Sequence, residues 1–298
     1  MMPDSGPPIE VLHPEGGLAP LVLSSPHSGR LYPPNLLAQV GIGMDELRRL
    51  EDGCVDRLFA GAPGLGAPLL HARFARAYVD PNREAYELDA DLIRPPLPPY
   101  VKVGSLKARA GLGVIPSRIG GRRIYRTRLD FAEAERRIDL AYRPYHRTLQ
   151  RLLDRPHAEF GAVLLLDCHS MPSQTADGAR TGEAPVDVAL GDRYGRSCAP
   201  PVIERAAAVL RRAGLRVGRN QPYAGGQITA RYGRPDLGMH ALQIEVRRDL
   251  FLDEATLEPL PRLGGMVQLF DGLLAELADL VHALRPADAP LIACPTAS

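Results

Sequence analysis

The stretch Gly161-Ala-Val-Leu-Leu-Leu-Asp-Cys-His-Ser-Met-Pro172 is an apolar run that stops abruptly on Asp167, His169 and Ser170. Entered through Gly, left through Pro and rich in Val and Leu, it predicts a strand buried on both faces. Open α/β sheets bind ligands just beyond the carboxyl ends of such strands, so these polar residues stand where chemistry usually takes place. His169 alone reads first as a buried histidine whose ring nitrogens are satisfied by backbone. A second instance of the pattern shifts that weighting. Leu21-Val-Leu23 runs into Ser24-Ser-Pro-His-Ser-Gly29, where Pro26 and Gly29 mark a tight turn holding His27 at another strand's carboxyl end.

Working outward, the 298 residues, 45% hydrophobic and 24% charged, suffice for a sizeable core and predict one domain over 1–298. With 36 basic against 35 acidic residues the net charge is +1, which offers no field for steering onto nucleic acid. The preference for Arg, beside abundant Ala, Gly and Pro, reads as coding bias. Cys54, Cys168, Cys198 and Cys294 are widely spread with no C-x-x-C pair, so neither a thiolate zinc site nor a disulfide framework is expected. The first residues lack a basic segment followed by an apolar core, and no run approaches the roughly 18 apolar residues a membrane helix needs. A soluble, cytoplasmic protein with no membrane partner is the expectation; the sequence leaves its oligomeric state open.

The remaining elements follow from periodicity. Met44 to Ala60 has a helical pattern interrupted by Gly53, with Glu51 and Asp52 in its middle. Pro68 to Asp80 reads as two short strands leading into Asp80-Pro-Asn-Arg83, where an amide and a guanidinium side by side suit a carboxylate. Pro95 to Gly121 reads as a long loop. Asp130-Phe-Ala-Glu133 fits a capping box that opens a helix to about Leu153, with Arg137 and His146 offset from its apolar stripe, toward either a site or solvent. A loop to about Arg196 precedes a helix from Pro200 to Arg212 and a strand from Leu215 to Gly218. Gly225 and Gly226 then allow close backbone approach to a ligand. His240 to Val246 is the last clear strand and carries Glu245 in an apolar setting, where a carboxylate must be paired, metal-bound or raised in pKa. Leu257 to Leu284 reads as a covering amphipathic helix.

Two strand-end histidines, an acid pair, an Asn-Arg and a buried Glu make up the inventory of zinc hydrolysis. That chemistry needs N and O ligands with an open position, a carboxylate outside them as base, and a cation for the developing oxyanion. The spacing alone does not diagnose it. There is no H-E-x-x-H, and Arg30 follows His27 by three residues where an H-x-x-E would have Glu.

Taken together, several segments resemble the N-formylglutamate amidohydrolase family from about Leu21 to about Glu254. They are Ser24 to Gly29, Glu51 to Leu58, Tyr78 to Arg83, Gly111 to Pro116, Arg143 to His146, Leu166 to Ser170, Gly191 to Cys198, Gly225 to Thr229 and His240 to Glu245. The resemblance implies an α/β fold, a mixed, largely parallel sheet flanked by helices, similar to the zinc carboxypeptidases and aspartoacylases. It implies hydrolysis of N-formyl-L-glutamate to formate and glutamate in histidine degradation. Carried over by position, it implies one zinc ion on His27, Asp52 and His169, Glu245 as the catalytic carboxylate, and Asn82 and Arg83 facing the substrate's carboxylate. Gly225, Gly226 and Thr229 would lie beside the substrate. Glu51 rivals Asp52 as acidic ligand. The loop Gly111-Leu-Gly-Val-Ile-Pro-Ser-Arg118 departs from the more Thr- and Cys-containing version of the best-known deformylases, which bears on the substrate and not on the metal. Two other readings remain at this stage: an amidase for another N-acyl amino acid or small peptide, and a non-catalytic binding module.

Overall fold

The strands of the computed structural model, in chain order, are β1 (Ile9–Leu12), β2 (Leu21–Ser25), β3 (Leu69–Ala72), β4 (Arg118–Ile119), β5 (Arg122–Arg123), β6 (Val163–Met171), β7 (Val188–Gly191), β8 (Val217–Arg219) and β9 (Met239–Arg247). The structure describes residues 6–14, 16–176 and 185–284. Seven strands form one sheet in the order β1-β3-β2-β6-β9-β7-β8, and β4 pairs with β5 as a separate ribbon. β3, β2, β6 and β9 are mutually parallel, β1 is antiparallel to β3, and β7, with β8 parallel to it, is antiparallel to β9. The sheet is therefore mixed and mostly parallel, as the family resemblance implies.

The helices are α1 (Pro34–Gln39), α2 (Met44–Arg48), α3 (Val55–Leu58), α4 (Leu106–Arg109), α5 (Phe131–Arg137), α6 (Arg143–Phe160), α7 (Ser173–Ala176), α8 (Pro200–Arg212), α9 (Gln227–Tyr232) and α10 (Leu263–Ala283). They cover both faces. Leu164, Leu166 and Cys168 of β6 and Leu242, Ile244 and Val246 of β9 pack with residues of α3, α8 and α10, while Val163, Leu165 and Ala241 pack with residues of α5 and α6. Side chains alternate across a strand. The α6 face therefore also receives Asp167 and His169 from β6, and Gln243 and Glu245 from β9. Along that face both central strands change from apolar to polar at the same height, because Asp167 pairs in register with Gln243 and His169 with Glu245. This change places the site.

Several elements differ from the sequence reading. Met44 to Ala60 is two short helices, because Gly53 and the left-handed Cys54 (φ 60°) turn the chain sharply after Asp52. Pro68 to Asp80 contains the single strand β3; residues beyond it bend inward instead of pairing, and Phe74 forms only an isolated bridge to Leu31. The Pro95–Gly121 stretch contains α4, capped by Ser105, and the first strand of the ribbon. Asp130 stands at the N-cap without a side-chain capping bond, since its carboxylate pairs with Arg94 and Glu133 pairs with Arg136 and Arg137. The helical segment continues through a π-helical turn at Ile138–Tyr142 as far as Phe160. Arg137 and His146 are both buried and reach neither solvent nor the site cavity: Arg137 packs on the Tyr78 and Tyr125 rings, and His146 bonds Tyr232 and Pro81. The last helix begins at Leu263. Part of the loop after β6 (177–184) and Cys294 lie outside the described residues. Cys54, Cys168 and Cys198 are buried free thiols, and no helix among the described residues is long and apolar enough to cross a membrane.

Candidate active site

His27 leaves the end of β2 in the turn that Pro26 opens, and its backbone carbonyl accepts the Asp52 N–H (2.9 Å), which fixes the break after α2 against that turn. His169 comes from the end of β6. Three atoms converge: His27 Nδ1 lies 3.2 Å from Asp52 Oδ2, His169 Nδ1 lies 3.0 Å from the same oxygen, and the two Nδ1 atoms are 3.1 Å apart. All three residues are buried, and together they form a group that can hold a metal ion.

The other side of each ring explains why the Nδ1 lone pairs face one another. His27 Nε2–H donates to Asp80 Oδ1 (2.8 Å), while His169 Nε2 lies 3.1 Å from Asp167 Oδ2 and 3.0 Å from the Asn82 amide nitrogen. The Asn82 amide donates to that same Asp167 oxygen (3.2 Å), and its orientation is set by its carbonyl, which accepts the Ile228 N–H (2.8 Å). A carboxylate stands behind each imidazole, the arrangement typical of metal-binding histidines, and the bond from His27 to Asp80 leaves the His27 Nδ1 free. Three lone-pair-bearing atoms this close repel unless a cation or proton sits among them. Ligands about 2.0–2.1 Å from a tetrahedral zinc ion lie roughly 3.3 Å from one another. The separations of 3.0–3.2 Å fit such an ion with little rearrangement.

The electrostatics agree. Burial pushes the Asp52 carboxyl up, but hydrogen bonds from His169 and His27 outweigh it and hold the carboxyl well below the usual range. Burial disfavours a charged His169, yet Asp167 and the bond to Asp52 raise its pKa well above the ordinary imidazole value. Asp80 behaves like Asp52: burial raises it, while Arg76 and His27 hold it well below the usual range.

Asp52 and not Glu51 brings its carboxylate to the histidines. Glu51 is buried on the other side of the break, accepting bonds from Tyr32 and Arg48. The second Asp52 oxygen, Oδ1, accepts from Arg248 Nη2 (3.0 Å), and Arg248 also donates to the Glu51 carbonyl (2.8 Å) and to Ser170 Oγ (3.1 Å). Sequence reasoning missed Arg248, as it missed Asp80 and Arg76, whose Nε donates to Asp80 Oδ2 (2.8 Å). The available signal for Arg248 was its place directly after an apolar strand that carries an acid.

The cluster opens into a cavity of about 500 Å³ lined also by Arg49, Arg76, Arg83, Lys107, Gly225, Gly226, Gln243, Glu245 and Arg248, within the size range of small-molecule sites. Glu245 is buried and accepts from the Gln243 amide (2.8 Å); burial pushes its carboxyl up to about 7. Arg83 lines the cavity with Nε on the Leu112 carbonyl and Nη1 on the Asn82 carbonyl (both 2.7 Å). Asn82 lines it as well, with its amide engaged within the protein. A Cβ on Gly226 would meet the Asn82 side chain at 2.4 Å, so glycine is required there for the loop to close over it. Thr229 is fully buried and donates to the Gly226 carbonyl (2.9 Å), bracing the loop from behind.

Comparison with known proteins gives a consistent result. Residues 19–252 match the family described as N-formylglutamate amidohydrolase. The chain is 35% identical over 251 residues to N-formylglutamate deformylase of Pseudomonas aeruginosa, covering 82% of this chain and 86% of that protein. It is 33% identical over 274 residues to N-formylglutamate deformylase of Pseudomonas putida, covering 90% and 94% respectively. The crystal structure of N-formylglutamate amidohydrolase from Ralstonia eutropha JMP134 superposes with a TM-score of 0.88 at 36% identity, over 93% of this chain and 99% of that one.

Proposed function

From the premise that this chain belongs to the N-formylglutamate amidohydrolase family, we propose that it is a zinc-dependent deformylase cleaving N-formyl-L-glutamate to formate and L-glutamate, a cytoplasmic step of histidine degradation. The observation that carries this reading is the convergence of His27 Nδ1, His169 Nδ1 and Asp52 Oδ2 at the wall of a cavity that also holds Glu245. An imidazole-rich N/O donor set favours zinc over magnesium. Held by those three residues, zinc supplies Lewis acidity that lowers the pKa of a water and polarises the formyl carbonyl.

The protein's own groups do the rest. Glu245, with a pKa near the working pH, takes a proton from the attacking water as its oxygen bonds to the formyl carbon. It returns that proton to the amide nitrogen as the C–N bond breaks, releasing formate and the free amine. Gln243 holds the Glu245 carboxylate in place. Arg76 is tethered through Nε to Asp80, with the other two guanidinium nitrogens unbonded among the described residues, and offers its charge to the developing oxyanion. Arg83, braced by two backbone carbonyls, faces the substrate's α-carboxylate. Asn82 acts from behind the imidazole of His169, and Gly225 and Gly226, the latter packed against Asn82, line the cavity beside it.

The test is formate release from N-formyl-L-glutamate with metal analysis of the same preparation. Chelation should abolish turnover and added zinc restore it, and the His27→Ala, His169→Ala double variant should lose both metal and activity. Stoichiometric zinc in that variant, or full turnover after chelation, overturns the reading.

A further inference from the structure

We propose that Lys107 binds the second carboxylate of the substrate and so restricts the cavity to N-formyl dicarboxylic amino acids; the inference rests on the amidohydrolase reading above. The cavity is lined by five cations, Arg49, Arg76, Arg83, Lys107 and Arg248, against two carboxylates, Asp52 and Glu245. Three of the five are tethered by bonds within the protein. Arg248 is bonded to Asp52, Arg76 to Asp80, and Arg83 to the carbonyls of Leu112 and Asn82. Arg49 and Lys107 have no side-chain hydrogen bond or ion pair among the described residues, and a cation lining a cavity without a partner is poised for an anion from outside.

Lys107 is distinguished from Arg49 by its place beside Arg83. Arg83 Nε donates to the Leu112 carbonyl, and Leu112 N–H donates in turn to the Lys107 carbonyl (2.8 Å), so one short loop after α4 fixes both residues on one wall. Lys107 as a whole is exposed but lines the cavity, where lost solvation and the Arg83 guanidinium lower its pKa against the opposing pull of Glu87 and Asp80. Arg83 and Lys107 act on each other as like charges that Glu87 and Asp80 offset only in part, since the pKa of each still falls, and a substrate carboxylate between them adds the missing countercharge. A substrate with only an α-carboxylate engages Arg83 and leaves Lys107 unmatched. A side-chain carboxylate satisfies both.

The experiment compares kcat/KM for N-formyl-L-glutamate and its neutral isostere N-formyl-L-glutamine in the wild type and in Lys107→Met, with Arg49→Met as control, and measures L-glutamate and L-glutamine binding calorimetrically in the same proteins. A charged hydrogen bond of ordinary strength predicts a roughly 10- to 100-fold fall in the glutamate-to-glutamine ratio for Lys107→Met, through KM. Arg49→Met should change that ratio less. Loss of equal size on both substrates, an unchanged ratio, or a larger change in Arg49→Met overturns the assignment. If the wild type turns over neither compound, the deformylase reading fails, and calorimetry still decides Lys107: preferential L-glutamate binding lost in Lys107→Met supports it, and no preference overturns it.

Discussion

Glu245→Gln separates catalyst from ligand and from structural acid, because the structure sets the size of three effects. Glu245 lies opposite His169 in the β6–β9 register but outside the metal-holding group, so the variant should keep its metal. As general base Glu245 must be ionised. With its pKa pushed up to about 7 by burial, wild-type kcat should rise about tenfold per pH unit below that value and level off above it. The nearly isosteric amide removes the base and should lower kcat by roughly 10²- to 10⁴-fold. The third effect is on stability. An acid whose folded pKa is raised favours folding below its unfolded pKa, and that contribution is lost as pH climbs to the folded value. Here the window runs from 4.5 to about 7, which amounts to about 3 kcal/mol. Metal-stripped Glu245→Gln should therefore be more stable than wild type at pH 8 and equal to it at pH 4.5, as read from urea unfolding. A variant that loses its metal makes Glu245 a ligand. Retained kcat with metal in place refutes the catalytic role, and equal stability at pH 8 refutes the burial argument.

Two further outcomes follow from residues behind the site. Arg248→Met strips Asp52 Oδ1 of its charged partner and leaves it, among the described residues, the Ser170 hydroxyl, so metal affinity should fall roughly 10- to 100-fold in competition with a chelating dye; unchanged affinity would make Arg248 a packing residue. His146, lowered to about 4 chiefly by burial, stays neutral in the fold while the unfolded chain takes up a proton. Stability should thus drop as pH falls from 6.5 toward 4, by up to about 3 kcal/mol, and His146→Gln should flatten that slope; an identical slope refutes it.

Part of the site was legible because apolar runs end on polar residues, and the fold because several segments together resemble one family; the structure shows that the polar change follows period two. In β6 and β9 one face stays apolar to the end, Leu164-Leu166-Cys168 and Leu242-Ile244-Val246, while the alternate face turns from Val163-Leu165 and Met239-Ala241 to Asp167-His169 and Gln243-Glu245. That switch is written in each strand. What no local pattern reveals is which strands are neighbours. His27 and His169 meet because β2 pairs in parallel with β6, and parallel neighbours are joined only through distant crossovers. Asp52 was obscured for a different reason: it sits where a helical pattern fails, and periodicity extends through a break that Gly53 and Cys54 make in the backbone. Asp80 and Arg248 were missed because each acts through another residue, holding His27 or Asp52 from behind, and Arg76 because its place on the cavity wall depends on its tether to Asp80. A charge that works by orienting a ligand needs only to reach one atom in the folded chain, so its spacing in sequence is unconstrained. The two carboxylates behind the imidazoles show the consequence. Asp167 precedes its histidine by two residues on the same strand face, where alternation exposes it. Asp80 serves His27 from another segment and could be assigned only once the chain had folded.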